Sequence, residues 1–206
     1  MAVPVAGEPH GLRRERAAHA GAAAARFSAP DPRFRASFLA ALRECHAEGR
    51  HRELDEAVLA DPAEFARYVA ALNAAVERPG EPDLYLAALR GEQPAAWPDG
   101  FVPQTWLWWV AGDAFLGRLS IRHRLTPHLL HEGGSIGFEV RPSARRRGHA
   151  TAMLAAALPL AAALGIDLAR LDCEATNTAS RRVIEANGGV LEGEREGSLF
   201  FWVPTS

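Results

Sequence analysis

The chain has 206 residues, 48% apolar and 23% charged, with a formal charge of -2 and a pI near 6.4; this is the balance of one soluble globular domain and excludes collagen, coiled coil and wholesale disorder. So small a net charge gives no overall attraction to nucleic acid or anionic lipid, so any useful positive charge has to be local. All 23 basic residues are arginine, which removes lysine Schiff-base chemistry.

In chain order, residues 1–25 form a low-complexity extension, alanine-rich after Arg13-Arg14, without the apolar stripe that would offset the entropy of ordering. His19 and the lack of a leucine run separate it from a signal peptide, so a reducing cytoplasm is expected, in keeping with two isolated cysteines, Cys45 and Cys173. A single domain is expected over residues 26–206. Asp31-Pro32 reads as a capped helix start with Phe34, Phe38, Leu39 and Leu42 at helical spacing, and Asp61-Pro62 repeats it with Phe65, Tyr68, Val69 and Leu72. After a Pro/Gly-rich connection, Thr105 to Val110 and Ala114 to Ile121 flank a Gly112-Asp113 turn as a hairpin, and Ser135 to Val140 is a third strand stopped by Pro142. A helix from about Gly148 to Leu164, expected to kink at Pro159, then a strand from Leu168 to Cys173, a helix from Thr178 to Ala186 and a hairpin from Val190 to Val203 complete the pattern. The apolar run from Ala150 to Leu164 is shorter than the roughly 20 residues a membrane span needs. The sum is an α+β domain with a mixed sheet. Trp106, Trp108 and Trp109 read as core and sheet-face residues of this domain.

Between the third strand and its helix stands Arg141-Pro142-Ser143-Ala144-Arg145-Arg146-Arg147-Gly148-His149-Ala150-Thr151. A loop feeding a helix N-terminus offers unpaired N–H groups and the positive end of the helix dipole, hence an anion site. The arginines deepen that potential, and the missing Gly-Lys-Ser/Thr excludes a nucleotide P-loop.

Arg145-x-x-Gly148-x-Ala150 after Val-Arg-Pro, followed by an Ala/Leu-rich helix, a short strand and Asn177-x-x-Ser180 opening another helix, resembles the acetyl-CoA-binding core of the GNAT N-acetyltransferases. The resemblance covers about Thr105 to Val203. Within the family, Arg122-His123, Gly133-Gly134 and Asn177-Thr178-Ala179-Ser180-Arg181 are most similar to a bacterial group of predicted acetyltransferases with poorly defined substrates; Asn-x-Ala-Ser-Arg is also similar to acetylases of ribosomal-protein N-termini. The resemblance implies a twisted, mostly antiparallel mixed sheet flanked by helices, with a splayed central strand pair. It implies acetyl-CoA as co-substrate, its pyrophosphate on Arg145, Arg146, Arg147, Gly148, His149, Ala150 and Thr151, and its pantetheine along Phe138, Glu139 and Val140, with Asn177 and Ser180 against the cofactor arm. Free backbone N–H groups there would stabilise the oxyanion by roughly 3 kcal/mol per donor.

Many members carry a tyrosine seven residues after the asparagine, where it protonates the leaving thiolate; here that position is Ile184. Ser180 is the nearest substitute acid, with an ordinary cap or surface residue as its other reading. Glu139 and Glu132 are the candidate bases that relieve the amine of its proton, and Arg122 and His123 candidate acceptor contacts. No metal is expected, because His123, His128 and His131 lack ligand spacing. The expected activity is direct attack of a primary amine, on a small molecule or a peptide N-terminus, on the thioester; the alternative is a non-catalytic CoA-binding or interaction module on the same fold. Neither nucleic acid nor membrane is expected as a partner, and the chain is expected as a monomer or homodimer.

Overall fold

The computed structural model describes residues 24–92 and 101–206; most of the expected extension, residues 1–23, and part of the Pro/Gly-rich connection lie outside them. Seven strands and seven helices follow among the described residues: β1 (Arg26–Ser28), α1 (Arg35–Ala47), α2 (Glu56–Leu59), α3 (Pro62–Ala74), α4 (Glu81–Leu89), β2 (Gln104–Ala111), β3 (Ala114–Arg122), α5 (Pro127–His131), β4 (Ile136–Val140), α6 (His149–Ala163), β5 (Leu168–Glu174), α7 (Thr178–Ala186), β6 (Val190–Arg195) and β7 (Ser198–Pro204). The two Asp-Pro starts behave as capped N-termini. Asp31 caps a 3-10 turn that runs into α1, accepting from the Arg33 N–H, and Asp61 accepts from Ala63 and Glu64 at the head of α3. Helix α6 continues through Pro159, which faces solvent, so the Ala155 carbonyl that loses its donor can be hydrated.

The strands form two sheets, β1-β2-β3-β4 and β5-β7-β6, every ladder antiparallel. Adjacent tryptophans divide the core between the faces of the first sheet, because neighbours on a strand point oppositely. Trp108 is fully buried against Phe34, Phe38 and Phe65 of the N-terminal helical layer, stacked on Phe38 at 5.3 Å. Trp109 enters the other core with Leu119, Val140, Met153, Leu154 and Ile184, where α6 and α7 pack. Trp106 lies half-buried beside the helical layer, with the Arg118 guanidinium 5.7 Å from its ring centre.

No ladder joins β4 to β5. They meet where the Ser135 N–H donates to the Arg170 carbonyl (2.7 Å) and the Arg170 N–H to the Ser135 hydroxyl (3.1 Å). Gly134 allows this approach, since its φ is +57° and a Cβ there would overlap the Arg170 carbonyl. Beyond this point the strands part, as expected from Pro142.

Candidate active site

The register of β4 on β3 shows which backbone groups face the gap. The Arg122 N–H donates to the Ser135 carbonyl and the Arg141 N–H to the Leu116 carbonyl, so the pairs Arg122–Ser135, Ser120–Gly137 and Arg118–Glu139 are the hydrogen-bonded ones. Phe138 and Val140 therefore turn their N–H and C=O groups away from β3, toward β5. Glu139 does the opposite, which corrects the sequence-based placement of its backbone along the cofactor: only its side chain is free to act.

At the end of β4 the chain makes a 3-10 turn and enters α6 through Arg146 and Gly148, both left-handed at φ 64° and 79°. Such alternation turns successive N–H groups inward as an anion-binding concavity. From Arg146 to Thr151, six consecutive N–H groups find no acceptor among the described residues, and no side chain caps α6. Of the four arginines in this stretch, only Arg146 and Arg147 are exposed without a carboxylate partner among the described residues. Arg141 is drawn in by Glu44, which also accepts from the Ser143 N–H at 2.9 Å and from its hydroxyl; the Arg141 guanidinium holds the Glu44 carboxyl down at about 2. Arg145 makes a two-pronged pair with Glu48 at 2.8 Å, and its own N–H goes to Pro142. The Arg145 side chain, expected on the pyrophosphate, is here directed to Glu48 and to the Val140 carbonyl. His149 keeps its N–H in the row while its Nδ1 accepts from the Trp109 indole at 3.4 Å.

On the other wall, Asn177 caps α7, its Oδ1 accepting from the Ser180 N–H at 3.0 Å. Ser180 is half-buried, and its hydroxyl has no partner among the described residues. Ile184 is fully buried in the α6-side core, so this position supplies packing and no proton.

The carboxylates sort by face. Leu171 and Cys173 of β5 share the core with Phe138 and Val140, so alternation turns both Asp172 and Glu139 toward the opposite face. Glu132 is exposed at the end of α5, where its N–H donates to the His128 carbonyl, and its carboxylate has no hydrogen-bond partner among the described residues. Glu139 is held by three cationic or polar groups: Arg118 Nε at 3.2 Å and His51 Nε2 at 2.7 Å on one oxygen, and Arg50 on the other. Both oxygens of that carboxylate are thus already engaged. Asp172 differs. It is half-buried, accepts the Gly133 N–H at 3.1 Å, and burial raises its carboxyl above the usual aspartate range, with the neighbouring charge of Glu132 adding to the effect. The sequence reading passed over Asp172, although the alternation Ala169-Arg170-Leu171-Asp172-Cys173 carries its signal.

The expected acceptor contacts prove to be occupied. Arg122 donates to the carbonyls of Gly133 (2.6 Å) and Gly134 (3.1 Å), propping the loop that carries Asp172's partner, and His123 Nε2 lies 2.8 Å from the Thr105 hydroxyl. Cys45, His51 and Glu139 place ligand-type atoms within 4.8 Å of one another, but a cation there would have to displace Arg118 and Arg50 from the same carboxylate.

Comparison with known proteins bears on this geometry. Residues 39–190 match the family described as acetyltransferase (GNAT) domain. Similar solved structures include RimJ of Mycobacterium smegmatis in complex with a CoA disulfide (20% identity, TM-score 0.56, 89% of this chain and 86% of that one). An acetyltransferase of Salmonella typhimurium that modifies the N-terminal serine of ribosomal protein L7/L12 is 15% identical (TM-score 0.55, 87% and 94%). The microcin C7 self-immunity acetyltransferase MccE, in complex with acetyl-CoA and AMP, is 10% identical (TM-score 0.54, 87% and 92%). No curated protein sequence matches the chain. Among the described residues, no helix is long and apolar enough to cross a membrane.

Proposed function

This chain belongs to the GNAT acetyltransferase family and is an acetyl-CoA-dependent N-acetyltransferase; we propose that its acceptor is the α-amine of a peptide and that Asp172 receives the proton. The reading rests on one observation: a half-buried carboxylate whose pKa burial raises stands on β5, on the face opposite the core and beside the loop where β4 and β5 meet, next to a β4 edge that offers the N–H groups of Phe138 and Val140. The N–H row from Arg146 to Thr151 holds the pyrophosphate, and pantetheine lies along β4 as an added strand would. The amine nitrogen attacks the thioester carbonyl carbon. Negative charge on that carbonyl oxygen falls to a β4 N–H, Asp172 takes the amine proton directly or through water, and the C–S bond breaks with Ser180 hydrogen-bonding the departing thiolate.

An α-amine suits this base. Its pKa near 8 leaves a sizeable neutral fraction at physiological pH, whereas an alkyl amine near 10 is almost wholly charged, and a lone carboxylate deprotonates the first far more readily. The Salmonella relative that modifies an N-terminal serine supports the same choice. The non-catalytic module is not favoured, because a carboxylate suited to accept the proton stands next to that β4 edge.

A thiol-release assay over short peptides, free amino acids, polyamines and aminoglycosides tests the reading, with Asp172→Asn beside the wild type. Peptides with a free small first residue should react, and Asp172→Asn should lose about 10²- to 10⁴-fold in rate with acetyl-CoA affinity unchanged. Because burial raises the Asp172 carboxyl, the wild-type rate should fall as pH drops through a value above the ordinary ~3.9 of aspartate. Acetylation of a polyamine with peptides inert would overturn the acceptor; a full rate in Asp172→Asn would overturn the base.

A further inference from the structure

Arg145 reaches back to β4 beside the loop where the reading above puts the pyrophosphate. Its Nε donates to the Val140 carbonyl at 3.3 Å, one of the β4 edge groups that pantetheine needs, while its two terminal nitrogens sit on Glu48 at 2.8 Å each. Glu48 follows the last turn of α1, four residues after Glu44. It also takes Arg50 at 3.3 Å, and Arg50 in turn holds Glu139. A chain of alternating charges, Arg145–Glu48–Arg50–Glu139, thus runs from the anion loop to the face of β4 that carries Glu139. Its outer members are more than a third exposed: Arg145 38%, Glu48 37%, Arg50 41%.

Exposed ion pairs of this kind exchange at little cost. A pyrophosphate is a stronger partner for a guanidinium than one carboxylate, since it offers more charge and the same two-pronged geometry. Arg145 directly precedes the six unpaired N–H groups, so the competing anion arrives beside it. At the far end, Glu139 carries the one carboxylate of β4, and Arg50 engages the oxygen that Arg118 and His51 leave free. His51 is kept in place there in a left-handed backbone, φ 56°.

We propose that Arg145 is a displaceable placeholder for the cofactor. Acetyl-CoA drives it off Val140 and Glu48, Glu48 then draws Arg50 to itself, and Glu139 is loosened to receive the acceptor's ammonium group. Glu48 is accordingly a positioning residue that makes the acceptor side respond to the filling of the cofactor side. This rests on the acetyl-CoA reading above and adds to it a regulation of the same site.

Titration calorimetry with acetyl-CoA on wild type, Glu48→Gln, Arg145→Gln and the double variant tests it. Freed from Glu48, Arg145 reaches the pyrophosphate unopposed, so Glu48→Gln should bind about two- to fivefold tighter, the range expected from releasing one exposed ion pair. The gain should vanish when Arg145 is already glutamine. Histidine proton resonances give a second readout: cofactor should shift the His51 ring signals in wild type and leave them in place in Glu48→Gln, where nothing pulls Arg50 away. Equal or weaker binding by Glu48→Gln, a gain that persists without Arg145, or the same His51 shift in both proteins overturns the proposal. Failure of wild type to bind acetyl-CoA would instead overturn the reading beneath it.

Discussion

Ser180 has a hydroxyl without a partner among the described residues, half-buried in the first turn of α7, while its N–H is spent on the Asn177 cap. A group placed to hydrogen-bond a leaving thiolate contributes only as the C–S bond breaks. Ser180→Ala should therefore lower turnover by about 10²- to 10⁴-fold and leave acetyl-CoA affinity intact, as thiol release and calorimetry on one preparation would measure. Equal rates would reduce Ser180 to its cap. Single residues were unevenly legible. The N–H row needed only the spacing of Arg145, Gly148 and Ala150 after a strand, whereas the partners of the side chains could not be read: Glu44 and Glu48 reach Arg141 and Arg145 across 97 residues of chain. Charge in a sequence shows which residues carry it, and only the fold shows which of those charges are already paired.

Helix α1 and the turn that follows β4 are joined by the Arg141–Glu44 ion pair. Arg141 is 13% exposed and Glu44 26%, and the guanidinium beside it brings the Glu44 carboxyl from 4.5 to about 2. A carboxyl with a lowered folded pKa stabilises the native state above its unfolded value and loses that contribution as pH falls toward the folded one. Above pH ~5 the pair should be worth on the order of 2–3 kcal/mol, fading as pH drops from about 4.5 toward 2. Glu44→Gln should lower the urea midpoint accordingly at pH 7, and the difference from wild type should shrink at pH 3; a constant difference would mean that packing, not charge, is lost. Elements of ten or more residues could be read directly, α1 and α3 from an Asp-Pro start and an apolar stripe, α6 from an Ala/Leu run between Gly148 and Gly165. The three residues of β1, and α2 and α5 with four and five, are too short to carry a period and take their form from what they pack on.

The molecule is two sheets touching near one point, and Gly134 stands at that point. Its φ of +57° and the Arg170 carbonyl against its missing Cβ leave no room for alanine, so Gly134→Ala should cost about 2 kcal/mol or more, visible in thermal melts, and should weaken acetyl-CoA binding by moving β5 off β4. Unchanged melting would show that the strands meet elsewhere. The parting of β4 from β5 was expected from Pro142 together with the family resemblance; which face of the gap carries the carboxylates followed from register alone. The gap has a consequence for the life of the protein. With pantetheine along β4 as proposed above, a metabolite would supply part of what closes a continuous sheet in other folds, and the free energy that holds the two halves together would grow with the logarithm of its concentration. Where acetyl-CoA and free CoA run low, more of the chain would then open between its halves and become available to proteases. The abundance of the enzyme would thus follow the supply of its own acetyl donor without any dedicated sensor.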